Sequence, residues 1–599
     1  MPLVSIDTVS DKSFDYVILG GGTAGLVLAA RLTEDPETSV LVLEAGPANL
    51  NDNLLLRPAQ FGLQFGKPEY DWAFQTKPQK HMNGTQLVWR SGRGLGGGSG
   101  INLMCWTKPP SGDIDDLERL GNPGWNWKNY EKYANKAEKF VPLPKDSRGL
   151  NVENWNVGTD GPLVTAHTKT YLDIEVKALE TFVNLGIPPA SAPLSGDPNG
   201  VFFIPNTIDS KTFTRTYSTT AYFVPNADRP NLSVLVNANA NKLVFDEKST
   251  DGLLATGAEF EYEGKVHVAH AKKDVIVSAG TLKTPQILEL SGIGSKEVLD
   301  AIDIPVKVEL PGVGENLQEH TNLGVSFEVP DDFVGDTFDV LRNPEVAAKQ
   351  VALHATGSGV HTMGITLLSF NPLQRLSDRA DAIHHATKEK ITQNADKYSP
   401  GRLELLKLQL ERLQRQSPGC ETILVPGFRS APKPPVPGKR YITFVAASNH
   451  PFSRGTVHAV SADPRVNPEF DPHYFEEDID LQTLLEMIKF IRKIPETSPF
   501  KEALGTPIKE YNPGPEIQTD EQIIAWLKKC LGSTFHPAGT SAMLPREKGG
   551  VVNPELKVYG TKNVRVVDLS ILPLHFASHS QSSVYAIAEQ AADIIKGKF

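Results

Sequence analysis

Three glycines near the start of the chain have the spacing of a phosphate-binding turn. Gly20, Gly22 and Gly25 form a G-x-G-x-x-G string directly after the apolar run 16–19. The first glycine permits a tight turn, the second lets a pyrophosphate approach the backbone, and the third lets the following helix pack against the strand. The unpaired N–H groups at the positive end of that helix would then bind the phosphates.

An acidic residue completes the pattern. A second apolar run, 40–43, ends in Glu44, which lies nineteen residues after Gly25. A carboxylate at this distance accepts hydrogen bonds from a ribose diol. Helix-forming residues run from Ala24 to Leu32 between the two apolar runs. The full order of strand, turn, helix, strand and acid favours a bound dinucleotide over a glycine turn without a ligand.

Composition narrows the classes of protein. The chain has 599 residues, 40% hydrophobic and 22% charged, which suits either two large domains or up to about four smaller ones. A net charge of −11, without a basic cluster interleaved with aromatics, disfavours nucleic acid as a partner. The three cysteines have no metal-ligand spacing and cannot all pair, which fits a reducing compartment.

Targeting signals are the next feature. The polar N-terminal segment lacks the apolar region of a secretory signal, and the last residues, KGKF, are not an S-K-L address. No window approaches the ~18 apolar residues of a membrane span. We therefore expect a cytoplasmic protein without a membrane partner, with a peroxisomal location left open, that is a monomer or a weak homo-oligomer.

The remaining chain is divided by glycine, proline and periodicity. Residues 85–110 contain too much glycine for a regular element and predict a loop, whereas 232–310 predict strands and turns. Residues 335–420 predict helices, one of them amphipathic through a leucine stripe at helical spacing. Further expectations are a helix at 284–290, a proline-rich loop at 430–439, strands at 441–447, and helices at 478–492, 520–529 and 584–595.

Six stretches, spread over residues 14 to 595, resemble those of one enzyme family. After the N-terminal turn come GRGLGGGSGINLMCWTKPPSGDID at 92–115, GTLKTPQILELSGIG at 280–294, PGVGENLQEH at 311–320, HPFSRGTVH at 450–458, and a closing pair, FHPAGTSAM at 535–543 with DLSILPLHFASHSQSSVYAIAEQAAD at 568–593. The chain resembles the glucose–methanol–choline (GMC) family of FAD-dependent oxidoreductases, in particular its fungal aryl-alcohol-oxidase and alcohol-dehydrogenase members. Residues 325–440 carry little of the resemblance.

The resemblance implies an α/β fold in two parts. A Rossmann-like FAD-binding domain would be assembled from residues 1–165, 225–330 and 530–599. A second, α+β substrate-binding domain on an antiparallel sheet would comprise residues 166–224 and 331–529.

It also implies the residues that hold FAD. The N-terminal turn would bind the pyrophosphate and adenosine, Glu44 the adenosine ribose, and Asp568 would lie near the ribityl–pyrophosphate part. Arg93 would contact phosphate unless it is simply exposed. The full expected set is Gly20, Gly22, Thr23, Ala24, Gly25, Glu44, Arg93, Gly97, Asn102, Val236, Ala279, Asp568 and Gln581, with no metal ligand.

The two histidines of the closing pair of motifs are the expected catalytic residues. The family brings two such side chains, here His536 and His579, together over the flavin N5. An imidazole, with an unperturbed pKa of about 6.5, can accept the hydroxyl proton while the alcohol carbon gives a hydride to the flavin. We expect His536 to be the base. His575 is expected to have a supporting or surface role, and His320 no ligand role.

The expected reaction is the oxidation of an alcohol to its aldehyde. The alcohol is expected to be primary, and aromatic if Trp106, Phe535 and Phe576 line the pocket. The flavin would be reoxidised by O₂ or by a quinone or dye. An FAD-containing lyase resembling hydroxynitrile lyases is the alternative, and a light-driven decarboxylase relative a weaker one. No H-E-x-x-H or C-x-x-C string supports a metal site, and Ile101 breaks the G-x-S-x-G string of a serine hydrolase.

The sequence predicts that FAD is bound without a covalent bond to histidine. Some relatives carry a flavin-linked histidine immediately before the asparagine of the first motif, but here Ile101 precedes Asn102. Acid precipitation of the purified yellow protein should release the flavin to the supernatant. Colour that stays in the washed pellet would refute the prediction.

Overall fold

A seven-stranded sheet contains the N-terminal glycine turn in the computed structural model, which describes residues 3–142, 155–249 and 252–599. Its strands run in the spatial order Leu232–Val236, Val40–Glu44, Ser13–Leu19, Lys265–Val277, Ala255–Tyr262 and Ala238–Phe245, with Val564–Val566 paired to Lys265–Val277. The pairs around Ser13–Leu19 are parallel. This first sheet therefore has the Rossmann-like arrangement that the sequence predicts.

The first two strands and their helix are buried almost completely. Every residue of Val40–Glu44 is buried, as expected for a parallel strand that is covered on both faces. The helix Thr23–Leu32 follows the glycine turn and packs against the last helix, Gln581–Ile595. A Cβ atom at Gly25 would lie 2.0 Å from the Gly20 carbonyl oxygen, so only glycine permits this helix to approach the strand so closely.

A second, antiparallel sheet of six strands lies in the other half of the molecule. It contains Leu367–Asn371, Cys420–Val425, Tyr441–Ser448, Thr321–Glu328, Lys509–Asn512 and Gly532–Ser533. The helix Asp478–Ile491 packs on Tyr441–Ser448, and its buried side chains belong to the hydrophobic core of this half. The antiparallel sheet with helices confirms the expected α+β character of this part.

The remaining elements connect and cover the two sheets. The other helices of eight or more residues are Ser111–Arg119, Trp127–Ala137, Asp173–Asn184, Gly280–Leu290, Pro344–His354, Ala380–Gln393, Pro400–Gln414 and Asp520–Cys530. Short strands form the pairs Phe74–Gln75 with Val88–Trp89, Glu138–Val141 with Leu163–Ala166, Ile208–Asp209 with Thr214–Arg215, Ile293–Gly294 with Val308–Glu309, and Thr456–His458 with Glu469–Asp471. Within the described ranges, no helix is long and apolar enough to cross a membrane.

The structure differs from the sequence-based expectations at four places. Thr321–Glu328 and Gly532–Ser533 lie in ranges expected for the FAD-binding domain, but their strands pair in the second sheet. The domain boundaries therefore remain a prediction that these two pairings do not support. The glycine-rich loop contains the short helix Gly98–Ile101, and a strand, Leu367–Asn371, interrupts the predicted helical region. That strand is buried at every residue, so it has no polar alternation that would reveal it.

Gly25 provides a test of the close approach between helix and strand. Gly25→Ala should lower the free energy of unfolding by about 1–3 kcal/mol, because the added methyl group meets backbone that cannot move aside. It should also reduce the flavin content. Gly112→Ala is the matched control, since the atoms nearest to its Cβ would belong to the flexible Arg415 side chain, at an ordinary contact distance of 3.5 Å. Thermal unfolding and the flavin-to-protein absorbance ratio measure both effects. Equal behaviour of the two variants would contradict the account.

Candidate functional site

A single cleft joins the glycine turn of the first sheet to the histidines beside the second. It is lined by Gly20, Gly22, Thr23, Ala24, Glu44, Gly97, Asn102, Ala279, Asp568 and Gln581 from the expected cofactor set, and by His536 and His579. The elements that meet here are distant in sequence, so the fold brings most of the predicted site residues together.

Glycines form one wall of this cleft. Gly20 has a φ of +110°, and a Cβ there would lie 2.4 Å from the Ser278 carbonyl oxygen. Gly97 has a φ of +50°, and its Cβ would lie 2.9 Å from Gly22 Cα. A Cβ at Gly98, in contrast, would meet nothing within 4 Å. The absent side chains thus let two backbone segments touch and leave open space above them.

The N-terminus of the first helix faces this space. Gly22 is its N-cap, and no side chain caps the helix. Thr23 and Ala24, the first two helical residues, line the cleft. Uncapped N–H groups at a helix N-terminus favour a phosphate.

Glu44 holds the two glycine segments together. Its carboxylate accepts hydrogen bonds from the backbone N–H groups of Gly21 (2.8 Å), Gly46 (2.8 Å) and Gly94 (2.9 Å). Burial raises the pKa of this carboxyl group, although the three hydrogen bonds oppose the effect. Glu44 therefore organises the turn as well as lining the cleft where the ribose is expected.

Asp568, like Glu44, both lines the cleft and binds backbone N–H groups. Its carboxylate accepts hydrogen bonds from Gly280 N–H (2.9 Å), the Thr284 hydroxyl (2.6 Å) and Ser570 N–H (2.9 Å). Burial raises its pKa against these hydrogen bonds. Asp568 thereby fixes the start of the helix Gly280–Leu290, where Gly280 has a φ of +81°.

Several polar atoms of the cleft lack a protein partner. The Asn102 amide donates to Gln581 Oε1 (2.9 Å), which leaves Gln581 Nε2 buried without a partner among the described residues. The hydroxyls of Ser278 and Ser580 are likewise buried without a hydrogen-bond partner among the described residues. Buried polar groups are rarely left unpaired in proteins. Together with the glycine wall, these atoms fit an elongated polar cofactor such as FAD.

Three expected cofactor residues do not line the cleft. The Arg93 guanidinium donates to the carbonyls of Pro68 (2.6 Å) and Ala45 (3.1 Å) and lies over the Trp72 ring, so its contacts do not support a phosphate role. Gly25 serves the packing described above. Val236 ends a strand of the first sheet and is packed against its core, while nearby Asn239 and Asn241 line the cleft instead.

His536 and His579 lie side by side, with ring centroids 5.4 Å apart. His536 Nδ1 lies 3.1 Å from both His320 Nδ1 and the Thr534 hydroxyl. Its Nε2 has no hydrogen-bond partner among the described residues and is not among the buried unpaired atoms. His579 Nε2 donates to Glu421 Oε1 at 2.6 Å.

The two rings have opposite electrostatic surroundings. Burial and the neighbouring His579 and His575 rings hold the pKa of His536 well below its ordinary value. Burial also lowers the pKa of His579, but the Glu421 carboxylate and the Cys105 thiol outweigh it and hold that pKa well above its ordinary value. These surroundings favour the neutral form of His536, whose Nε2 has no partner among the described residues, and the protonated form of His579.

Sequence reasoning found only part of the group that supports this pair. His320, expected to have no ligand role, contacts His536, and its ring lies 3.7 Å from that of His575 between centroids. His575 is only 2% exposed and donates from Nε2 to the His536 carbonyl (2.7 Å), so its role is supporting rather than at the surface.

Two buried glutamates complete the support. Glu319 accepts a hydrogen bond from the backbone N–H of His536 (2.9 Å), and burial raises the pKa of Glu319 to about 8. Glu421 lies on a central strand of the second sheet, in the region with little family resemblance. Glu319 and His320 belong to the family-like stretch 311–320, directly before the strand Thr321–Glu328, so the sequence pointed to their segment. No sequence motif pointed to Glu421.

Only one of the three expected aromatic residues lines the cleft. Phe535 does so, with Phe65 (ring centroids 5.8 Å apart) and Trp72 beside it. Trp106 and Phe576 are 0% and 2% exposed and belong to the hydrophobic core of the first half. The expectation that they line the pocket is wrong, because both rings point away from the cleft and pack in the hydrophobic core.

Comparison with known proteins decides the family. Two family models described as GMC oxidoreductase match residues 14–322 and 451–588. The chain belongs to the GMC oxidoreductase family. A GMC oxidoreductase family protein, Mala s 12, of Malassezia sympodialis is 34% identical over 98% of this chain and 93% of its own. More distant relatives include both dehydrogenases and oxidases.

Solved structures agree with this GMC assignment. An FAD-dependent oxidoreductase from Chaetomium thermophilum is 30% identical, with a TM-score of 0.88 over 98% of this chain and 99% of that one. A fungal aryl-alcohol oxidase is 26% identical, with a TM-score of 0.85 over the same shares. This GMC protein is therefore a flavoprotein oxidoreductase that uses FAD.

Glu421→Gln should reduce the difference between the pKa values of His536 and His579. Removing the carboxylate lowers the pKa of His579, so a rate that requires protonated His579 is lost at a lower pH. The alkaline limb of the pH profile of flavin reduction should therefore move to lower pH, measured by anaerobic stopped flow. Glu411→Gln, at an acid 49% exposed and paired with Arg119, is the control. An unchanged alkaline limb in Glu421→Gln would contradict the assignment.

Proposed function

We propose that this chain oxidises a small alcohol to an aldehyde with non-covalently bound FAD. The observation that carries the proposal is the pair of imidazoles in the cleft, with ring centroids 5.4 Å apart. His536 has a free Nε2 and a lowered pKa, whereas His579 is paired with Glu421, which raises its pKa. A base beside a cation is the arrangement that the removal of a hydroxyl proton requires.

The cofactor set divides by position in the cleft. Thr23 and Ala24, with the glycines beside them, would hold the pyrophosphate, Glu44 the ribose, and Asp568, Asn102 and Gln581 the part toward the histidines. When bound, FAD supplies the acceptor for the hydride that leaves the alcohol carbon. Ile101 offers no atom for a covalent bond to the flavin, which supports non-covalent binding.

His536 would accept the hydroxyl proton at Nε2. The resulting imidazolium is stabilised because its Nδ1 lies 3.1 Å from the Thr534 hydroxyl and from His320 Nδ1, each of which can accept a hydrogen bond. His579, as the cation, would stabilise the negative charge that develops on the substrate oxygen and orient it. Before proton transfer, two cationic rings would repel each other, so the geometry favours one neutral ring and one cation in the resting enzyme.

The cleft lining bears on the substrate class, and the relatives bear on the final electron acceptor. Phe535, Phe65 and Trp72 place aromatic rings along the cleft, which supports an aromatic alcohol. The oxidases among the relatives support O₂ as the acceptor. A panel of aliphatic, aryl and sugar alcohols, with peroxide formation and dye reduction read in parallel, tests both points. A substrate that is converted under anaerobic conditions without bleaching the flavin would indicate a lyase and would contradict the proposal.

His536→Ala should lower the rate of anaerobic flavin reduction by ~10²-fold or more, the range for losing a general base. The flavin should remain bound, because His536 lies outside the expected cofactor set. His579→Ala should also slow reduction. The double variant should be non-additive, since both rings act on one oxygen. Near-wild-type reduction in His536→Ala would assign the base to another residue.

A further inference from the structure

Arg429 is a cleft-lining cation that lacks a counter-charge. Its backbone N–H donates to the Thr443 hydroxyl (3.1 Å), but its guanidinium makes no hydrogen bond or ion pair with any residue in the described parts of the chain. The other cationic side chains of the cleft wall do have partners. Arg90 pairs with Asp71 (3.1 Å), and Lys283 donates to Gln286 (2.9 Å) and lies over Trp72.

The part of the cleft wall that the second sheet contributes is mainly apolar. Ile423, Val425 and Val445 line the cleft as Arg429 does, and they pack in one apolar cluster with Ile365. Burial lowers the pKa of Arg429, and the Cys105 thiol opposes the effect. The Arg429 side chain is half-buried, so its guanidinium is partly withdrawn from water, and no anion among the described protein residues offsets the lost hydration.

The position of Arg429 is fixed by the sheet. A Cβ atom at Gly324 would lie 1.9 Å from the Arg429 carbonyl oxygen, so the backbone of Arg429 lies directly against the strand Thr321–Glu328. This close contact makes the side chain a feature of the folded cleft rather than of a loose loop.

Arg429 lies on the substrate side of the cleft. Cys105, Arg429 and His579 line the same cleft, and the Cys105 thiol raises the pKa of both cations. Arg429 also follows, by four residues, the strand Cys420–Val425 that carries Glu421, the partner of His579. The glycine wall expected to hold the pyrophosphate belongs to the first sheet.

We propose that Arg429 binds a carboxylate of the substrate, so that the preferred substrates are hydroxy acids rather than neutral alcohols. This inference rests on the proposed function and names its substrate class. His579 is already paired with Glu421, so Arg429 is the cation available to an anionic substrate. A guanidinium binds a carboxylate with two parallel hydrogen bonds. The apolar neighbours favour a carboxylate over a strongly hydrated phosphate.

Binding can be tested without turnover. The flavin-loaded enzyme is titrated with benzoate, and with benzamide as a neutral analogue, while the flavin absorbance spectrum is recorded. Benzoate should perturb the spectrum, and Arg429→Gln should weaken its binding by about 10- to 100-fold, the range for hydrogen bonds to a charged group. Benzamide binding should change little. Arg429→Lys, which keeps the charge but loses the bidentate geometry, should show an intermediate loss and serves if Arg429→Gln does not fold.

An exposed arginine provides the matched control for the lost positive charge. Arg465→Gln removes a cation that is 69% exposed and paired with Asp463, so it should leave benzoate binding unchanged. Benzoate that does not bind, or that binds equally to wild type and both Arg429 variants, overturns the proposal. Loss of flavin from Arg429→Gln would assign the guanidinium to the cofactor instead. Tighter binding of inorganic phosphate than of benzoate would overturn the carboxylate assignment.

A second arm measures turnover. In wild type, 3- or 4-(hydroxymethyl)benzoate should have a kcat/KM about 10-fold or more above that of its methyl ester, and Arg429→Gln should abolish this preference. Equal values for acid and ester in wild type would contradict the hydroxy-acid assignment. If no alcohol is oxidised at all, the proposed function fails, while the benzoate titration still decides whether Arg429 binds carboxylates.

Discussion

Two imidazole rings whose centroids lie 5.4 Å apart cannot both carry a positive charge without strong repulsion. The structure resolves this constraint by giving the rings different neighbours. Glu421 stabilises the protonated form of His579, whereas His536 has burial and two further histidines around it. The proposed chemistry depends on this difference between the two pKa values, because it needs a neutral base and a cation side by side. Two rings in the same environment would be either both neutral or both charged.

The two sheets contribute different parts of the site. The first sheet supplies a wall of backbone, in which Gly20 and Gly97 permit contacts that a side chain would prevent. The second supplies the charged groups, since Glu421 and Arg429 both belong to its strands and connections. Cys105 follows the glycine segment in sequence and packs in one apolar cluster with Ile423, Val425 and Val445 of the second sheet, so it joins the two walls of the cleft.

The sequence predicted the first half well because its signals are local. Glycine spacing, an apolar strand and a terminal acid specify the turn around Gly22 without knowledge of the fold. The second half depends on pairing between distant strands. The strand Leu367–Asn371 is buried on all sides and has no alternation, and Glu421 acquires its role only when its strand reaches His579. Trp106 was expected in the pocket but packs in the core. Its motif predicts that the segment lies at the cleft, but it does not predict the direction in which the side chain points.

The separation of the two imidazole pKa values is the central claim, and nuclear magnetic resonance of the resting enzyme with ¹⁵N-labelled histidine tests it most directly. The His536→Ala and His579→Ala variants assign the two signals. The account predicts that His579 stays protonated well above neutral pH and that His536 stays neutral well below its ordinary titration range. Titration of both rings together near the unperturbed value of about 6.5 would contradict it.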